Sequence, residues 1–127
     1  MDKKIIILVL CFLLYLPQLV MIMTTLLFLF LAAVFSAIMD TLKDHYSTSI
    51  FCTFKNQNFW NPYFGWRNIV FNYVAIDAWH LSKMAMLGCL YCAIFFHVPI
   101  FGWVDLLLYP LIWFIGFQLF YSVILKK

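Results

Sequence analysis

The chain alternates between long apolar runs and one polar stretch rich in aromatic rings. Apolar side chains fill most positions of residues 5–39, 69–98 and 103–125, whereas residues 46–72 interleave amide and hydroxyl groups with Phe, Trp and Tyr. Apolar runs of about 20 residues can cross a bilayer as helices, and polar groups beside rings are typical of the headgroup region. The pattern therefore predicts membrane helices joined by an aromatic interfacial loop.

The first apolar run is too long for one crossing. As a single helix, residues 5–39 would measure about 52 Å, against about 30 Å of hydrocarbon. Pro17 lacks a backbone N–H and disfavours helix at the preceding residue, so we predict a break at Leu16-Pro17-Gln18. Residues 20–39 then form a full span, and residues 5–16 form a short span or a re-entrant segment. No small-x-small cleavage site follows at the usual distance, which favours a retained segment over a signal peptide.

Two further spans follow the polar stretch. Placing every ionisable group of the second run at the bilayer centre would be costly, so we predict a span over residues 81–97. Residues 103–125 form the last span, in which Pro110 produces a kink rather than an end. The predicted fold is one all-α integral membrane domain over residues 1–127. It is a bundle of three or four transmembrane helices, with residues 40–76 as the interfacial loop.

Composition agrees with this class. Hydrophobic residues make up 67% of the chain, charged residues 10%, and the mean hydropathy is +1.01. Soluble domains are roughly 45–50% apolar and about 25% charged, so the chain is an integral membrane protein by composition. The formal charge of +3 is small and scattered, which excludes nucleic acid as an expected partner and leaves membrane lipids as the expected surroundings.

The basic residues predict the orientation. A cytoplasmic loop, together with a hairpin at Pro17, places all eight Lys and Arg side chains on one side of the membrane. The opposite orientation leaves at most Lys3 and Lys4 inside. We therefore predict four membrane segments, with both termini and the loop in the cytoplasm. Three spans, with the N-terminal segment in the interface, is the alternative.

Two acidic and histidine-containing clusters bracket the loop. The flanking helices leave and re-enter the membrane on the same side, so both clusters should lie at one depth. Asp40 and Asp44 are four residues apart, and Asp77 and His80 are three apart. On a helix, each of these pairs lies on one face. Carboxylates and imidazoles together suit a divalent cation such as zinc, iron, magnesium or manganese. The predicted metal ligands are Asp40, Asp44, His45, Asp77 and His80; the predicted catalytic groups are Asp77, His80, Asp40 and His45.

A metal at this depth could activate water beside a lipid headgroup. The leading hypothesis is therefore a metal-dependent hydrolase acting on a lipid or lipid-linked substrate. A non-enzymatic membrane subunit is the first alternative, forming a homo-oligomer or a larger complex through the loop rings Trp60 and Trp66. A proton or ion pathway through Asp77, His80 and Lys83 is another. Ordinary solvated helix ends would also explain the two clusters.

Other constellations carry weaker signals. His45 and His80 could ligate haem from two helices on one side of the membrane. Cys89-Leu90-Tyr91-Cys92 resembles a redox pair, but its position inside a span, without a second pair, favours packing. The zinc-protease pair of histidines, a glycine-rich phosphate loop and a Gly-x-Ser-x-Gly elbow are all missing from the sequence.

The order of five motifs carries a resemblance over residues 39–83. The motifs are Met39-Asp40-Thr41, His45-Tyr46-Ser47-Thr48-Ser49-Ile50-Phe51, Trp60-Asn61-Pro62, Trp66-Arg67-Asn68 and Asp77-Ala78-Trp79-His80. This succession is similar to a family of small uncharacterised membrane proteins from bacteria and their phages. The resemblance names no substrate, but it implies a location in a bacterial inner membrane. It implies that the two Asp/His clusters and the Trp-Asn-Pro corner belong to one site.

Overall fold

Three apolar helices dominate the fold. The computed structural model describes residues 3–63, 69–70, 74–75, 77–99 and 102–125. The helices are α1 (Lys3–Asp44), α2 (Gln57–Trp60), α3 (Ala78–Phe95) and α4 (Asp105–Gln118), which continues as a π-helix over Leu119–Leu125. Short 3₁₀ turns occupy Tyr46–Thr48, Ile50–Thr53 and Gly102–Val104. The strands β1 (Ile69–Val70) and β2 (Val74–Ala75) pair antiparallel.

Three of these segments are long and apolar enough to cross a membrane, among the residues that the structure describes. They are Val9–Asp44, Ala78–Phe95 and Gly102–Leu125. The predicted all-α membrane bundle is thereby confirmed. The last segment begins within one residue of the predicted span, and α3 begins and ends slightly earlier than the predicted 81–97.

The first helix differs from the prediction. It runs for 42 residues without interruption through Pro17, a length of about 63 Å. The predicted break at Leu16-Pro17-Gln18 is therefore wrong. Proline removes a single donor and its fixed φ is compatible with a helix. In an apolar run, where water cannot replace backbone hydrogen bonds, continuing the helix satisfies the remaining groups best.

The continuous helix also changes the topology. α1 starts at the end of the bundle that is remote from the loop. The prediction that Lys3 and Lys4 return to the loop side is therefore wrong. Leu125, in contrast, packs with Leu42 and Phe51 in the buried cluster at the loop end. The two ends of the described chain therefore lie at opposite ends of α1. Which of them faces the cytoplasm remains a prediction.

The bundle itself uses only the second half of α1. This half packs against α3 and α4, with Ala32, Ala33 and Ala37 fully buried, whereas every described side chain of residues 4–21 is exposed. Small residues allow membrane helices to approach closely. One close approach is at Gly116 of α4, where an added Cβ would lie 3.0 Å from a Phe30 ring carbon. Helix contact therefore depends on residues with little or no side chain.

A hydroxyl group connects α1 to the end of α3. Thr25 is 4% exposed, and its Oγ1 lies 2.8 Å from the Phe96 carbonyl oxygen and 3.0 Å from the Met21 carbonyl oxygen. The last carbonyls of a helix lack partners within the helix. Thr25 supplies one of the missing donors.

Thr25→Val is expected to destabilise the bundle by about 1 kcal/mol, because it removes the hydroxyl that donates to the Phe96 carbonyl. Thr24→Val is the matched control, since the Thr24 hydroxyl donates to the Val20 carbonyl of the same helix, at 2.8 Å. Unfolding in mixed micelles with increasing sodium dodecyl sulfate measures both. Equal midpoints for the two variants would contradict the interhelical role.

Candidate functional site

The Asp77–His80 pair stands at the start of α3. Asp77 is the N-cap residue, and its Oδ1 accepts a hydrogen bond from the His80 backbone N–H at 2.8 Å. The same carboxylate holds the His80 ring, with both oxygens 2.9 Å from Nδ1. The Asp77 side chain is 6% exposed and that of His80 is 50% exposed. A buried carboxylate therefore orients an accessible imidazole.

Capping explains why these two residues are three apart. Asp77 was predicted to precede a span that starts at residue 81, yet α3 already begins at Ala78. Asp is among the preferred N-cap residues because its oxygen accepts from the first free N–H groups of the helix. An acidic residue directly before an apolar helical run is a start signal, and it could have located this boundary.

The pair fixes the tautomer of the neutral imidazole. An ionised carboxylate can only accept hydrogen bonds, so Nδ1 of His80 carries a proton, and in the neutral ring Nε2 keeps its lone pair. An imidazole in this state can take a proton from water or bind a cation. The Trp79 ring lies edge-on to that of His80, with 4.9 Å between centroids, and Lys83 Nζ is 5.1 Å from the Trp79 ring centre. A cationic group therefore lies one turn along α3 from the imidazole.

The structure places Asp40 on another side of the bundle. Asp40 lines a groove with Pro110, Trp113 and Gln118 of the last membrane segment. Ile38, two residues earlier, lines a pocket with Ala78 at the start of α3. Two residues turn an α-helix by about 200°, so Ile38 and Asp40 face different neighbours. Asp40 consequently faces α4 rather than the Asp77–His80 pair.

The other two predicted ligands also lie apart from this pair. The His45 ring packs edge-on against Tyr121 of the π-helix, with 5.6 Å between centroids, and Asp44 is the exposed last residue of α1. Within the described ranges, no three His, Cys, Asp or Glu side chains lie close enough to hold a metal ion. The structure therefore does not bring the five predicted ligands together. A common depth did not imply a common face of the bundle.

The aromatic loop folds over the loop end of the bundle. Phe51 is buried and stacks on Trp60 at 5.1 Å between ring centres, and Phe54 meets Trp60 edge-on at 4.9 Å. Trp60 is thus occupied inside the chain, which leaves less of it for docking a partner. Trp66, with Arg67 and Asn68, lies outside the described residues.

Gln57 holds the loop together. Its amide N–H groups donate to the carbonyls of Cys52 and Phe54, and its amide oxygen accepts from the Tyr46 hydroxyl. Burial raises the pKa of Tyr46, the neighbouring Cys52 adds to this, and the bond to Gln57 lowers the pKa. The net rise keeps the phenol protonated, so it can donate to Gln57.

No family model, curated protein or solved structure matches the chain. The resemblance to a family of small membrane proteins stays a prediction. The rings that line the groove with Asp40 were not predicted, because α4 is apolar along most of its length and no spacing distinguishes Trp113, Phe114 or Phe117 from lipid-facing residues.

Proposed function

We propose that the chain is a membrane-interface hydrolase of a lipid or lipid-linked ester, with His80 as its general base. The observation that supports this is the pair itself, in which both oxygens of a buried carboxylate lie 2.9 Å from Nδ1 of a half-exposed imidazole. A positioned base of this kind contributes about 10²–10⁴ to the rate of a hydrolytic reaction. Asp77 orients the ring and stabilises its protonated form.

The reaction uses groups at the start of α3. Nε2 of His80 takes a proton from water as the water oxygen attacks the ester carbonyl carbon. The imidazolium then returns the proton to the alcohol that leaves. Lys83 attracts an anionic headgroup, since a basic residue near a membrane surface contributes about 1 kcal/mol of attraction to acidic lipids. The substrate class that follows is an anionic phospholipid or a related ester.

A divalent metal belongs to the same proposal as a second route. Nε2 of His80 is the nitrogen that a zinc or iron ion would use, and a carboxylate on the other ring nitrogen is the usual support of such a ligand. Magnesium or manganese would take its further ligands from the substrate phosphate. Among the described residues no two additional ligands join His80. Hydrolysis with and without chelator separates the two routes.

The experiment uses the full chain in vesicles that contain labelled phosphatidylglycerol or phosphatidylcholine. Release of fatty acid and lysolipid, followed by mass spectrometry, is expected from phosphatidylglycerol and to a smaller extent from phosphatidylcholine. A parallel sample contains EDTA, and another contains His80→Gln protein. Absence of product from both lipids, or equal product from wild type and His80→Gln, would end the proposal.

A non-enzymatic membrane subunit is the second candidate. The observation in its favour is the first half of α1, where Phe12 is 64% and Leu14 71% exposed and the helix continues beyond the bundle. Another apolar membrane helix is the partner that this surface fits. A stoichiometric partner that co-purifies with wild type and with His80→Gln, but is lost with Phe12→Glu or Leu14→Glu, would favour this role.

A further inference from the structure

A groove between α1 and α4 is separate from the Asp77–His80 pair. It has a volume of about 820 Å³, within the range of small-molecule sites. Its lining residues are Ser36, Asp40, Pro110, Trp113, Phe114, Phe117 and Gln118. Three aromatic rings, one carboxylate, one amide and one hydroxyl therefore line the same groove.

The groove has a polar mouth and an apolar floor. Asp40 lies four residues before the end of α1, about 6 Å below the loop end of the bundle. Gln118 closes α4 just before the π-helix, which reaches the same loop end at Leu125. Pro110 lies eight residues before Gln118, about 12 Å deeper. The polar groups at the mouth are thus near the headgroup level, and the apolar part extends into the hydrocarbon.

The mouth of the groove carries one carboxylate. Asp40 is partly buried and is the ionisable side chain among the lining residues of the groove. Lys43 is exposed, does not line the groove, and lies close enough to Asp40 to offset part of its charge. A carboxylate next to aromatic rings recognises an alkylated ammonium group, because the ring faces and the carboxylate both attract a cation while the rings also contact its carbon atoms.

We propose that this groove binds a membrane amphiphile with a cationic, alkylammonium headgroup. The ammonium lies beside Asp40 and the rings, and the chain follows the apolar floor toward Pro110. An anionic lipid would meet the Asp40 carboxylate at close range, and a packed helix would bury that charge against apolar side chains. A small cation without a chain would leave the floor unfilled. The amphiphile alone satisfies both ends of the groove.

The test uses the full-length protein in neutral detergent with a photoreactive dodecyltrimethylammonium probe that carries a diazirine in its chain. Cross-links are mapped by peptide mass spectrometry. We expect labelling of the peptide that contains Trp113, Phe114 and Phe117. Unlabelled dodecyltrimethylammonium is expected to displace the probe at least about tenfold better than laurate or tetramethylammonium. Equal displacement by laurate, or by tetramethylammonium, would overturn the proposal, and so would labelling spread evenly over the apolar helices.

Two variants test the carboxylate. Asp40→Asn keeps the size of the side chain and is expected to weaken probe binding about tenfold, because a charge-assisted contact is lost. Asp44→Asn removes an exposed carboxylate one turn further along α1 and is expected to bind as wild type does. Equal loss in both variants, or no loss in Asp40→Asn, would contradict the site. The displacement series on wild-type protein decides the matter if a variant does not fold.

Discussion

Gly116→Leu is expected to push α4 away from α1 and to destabilise the bundle. A Cβ at position 116 would lie 3.0 Å from Phe30 Cδ2 and 3.2 Å from the Ala33 Cβ. The Phe30 ring can rotate, but Ala33 is fully buried and its Cβ is fixed to the backbone of α1. A longer side chain therefore has to push the helices apart. Overpacking costs roughly 1–3 kcal/mol, and we expect a value near the upper end here.

Gly88 provides the matched control. It lies on α3, is exposed, and has nothing within 4 Å of an added Cβ. Gly88→Leu is expected to leave stability unchanged or to raise it by up to about 1 kcal/mol, since leucine favours helix over glycine. Unfolding by sodium dodecyl sulfate in mixed micelles measures both variants. A Gly116→Leu protein as stable as Gly88→Leu would show that α4 does not lie this close to α1.

His80→Gln is expected to lower lipid hydrolysis by about 10²–10⁴, the usual contribution of a positioned base. Asp77→Asn is expected to cause a loss of similar order, because an amide N–H facing Nδ1 would move the proton to Nε2 and remove its lone pair. Asparagine is as good an N-cap as aspartate, so α3 should still begin at Ala78. The loss would then come from the ring nitrogen and not from unfolding.

Two measurements separate a change at the His80 ring from unfolding of the protein. Initial rates on phosphatidylglycerol vesicles give the losses, and the ¹⁵N chemical shifts of the His80 ring report which nitrogen carries the proton. Asp44→Asn, a change at an exposed helix end, is the control and should keep the wild-type rate. A rate loss in Asp77→Asn without a change of tautomer would point to a structural role for the carboxylate instead.

Much of the fold follows from hydropathy along the chain. The runs that form α3 and the last segment each have an apolar length close to the thickness of one bilayer. Polar residues or Pro99 mark their ends, so their positions were predicted within a few residues. The continuous course of α1 was not predicted. In water, the hydrogen bond that Pro17 removes favours the end of a helix, because solvent can take over the freed backbone groups. Within an apolar run the helix is the only source of backbone partners, and it continues.

The sequence predicted that the acidic and histidine residues lie at one depth in the membrane. It did not predict which neighbouring helix each of them faces. The i, i+3 spacing identified Asp77 and His80 as a pair, and they do meet. Whether Asp40 faces α3 or α4 depends on how α1 is rotated, which the packing of Ala33 and Gly116 decides. No periodicity in α4 distinguishes the face that carries Trp113 from the others. A single-sequence reading therefore could not separate one shared site from two independent ones.

The unequal lengths of α1 and α3 affect how the purified protein will behave. α3 measures about 27 Å, whereas α1 is about 63 Å long and apolar for most of that distance. Detergent has to cover both the bundle and the exposed helix, so each chain will carry more detergent than a three-helix protein of 15.1 kDa normally does. Gel filtration will consequently overestimate the number of chains per particle, and light scattering with a separate measure of detergent mass is the sounder way to count them.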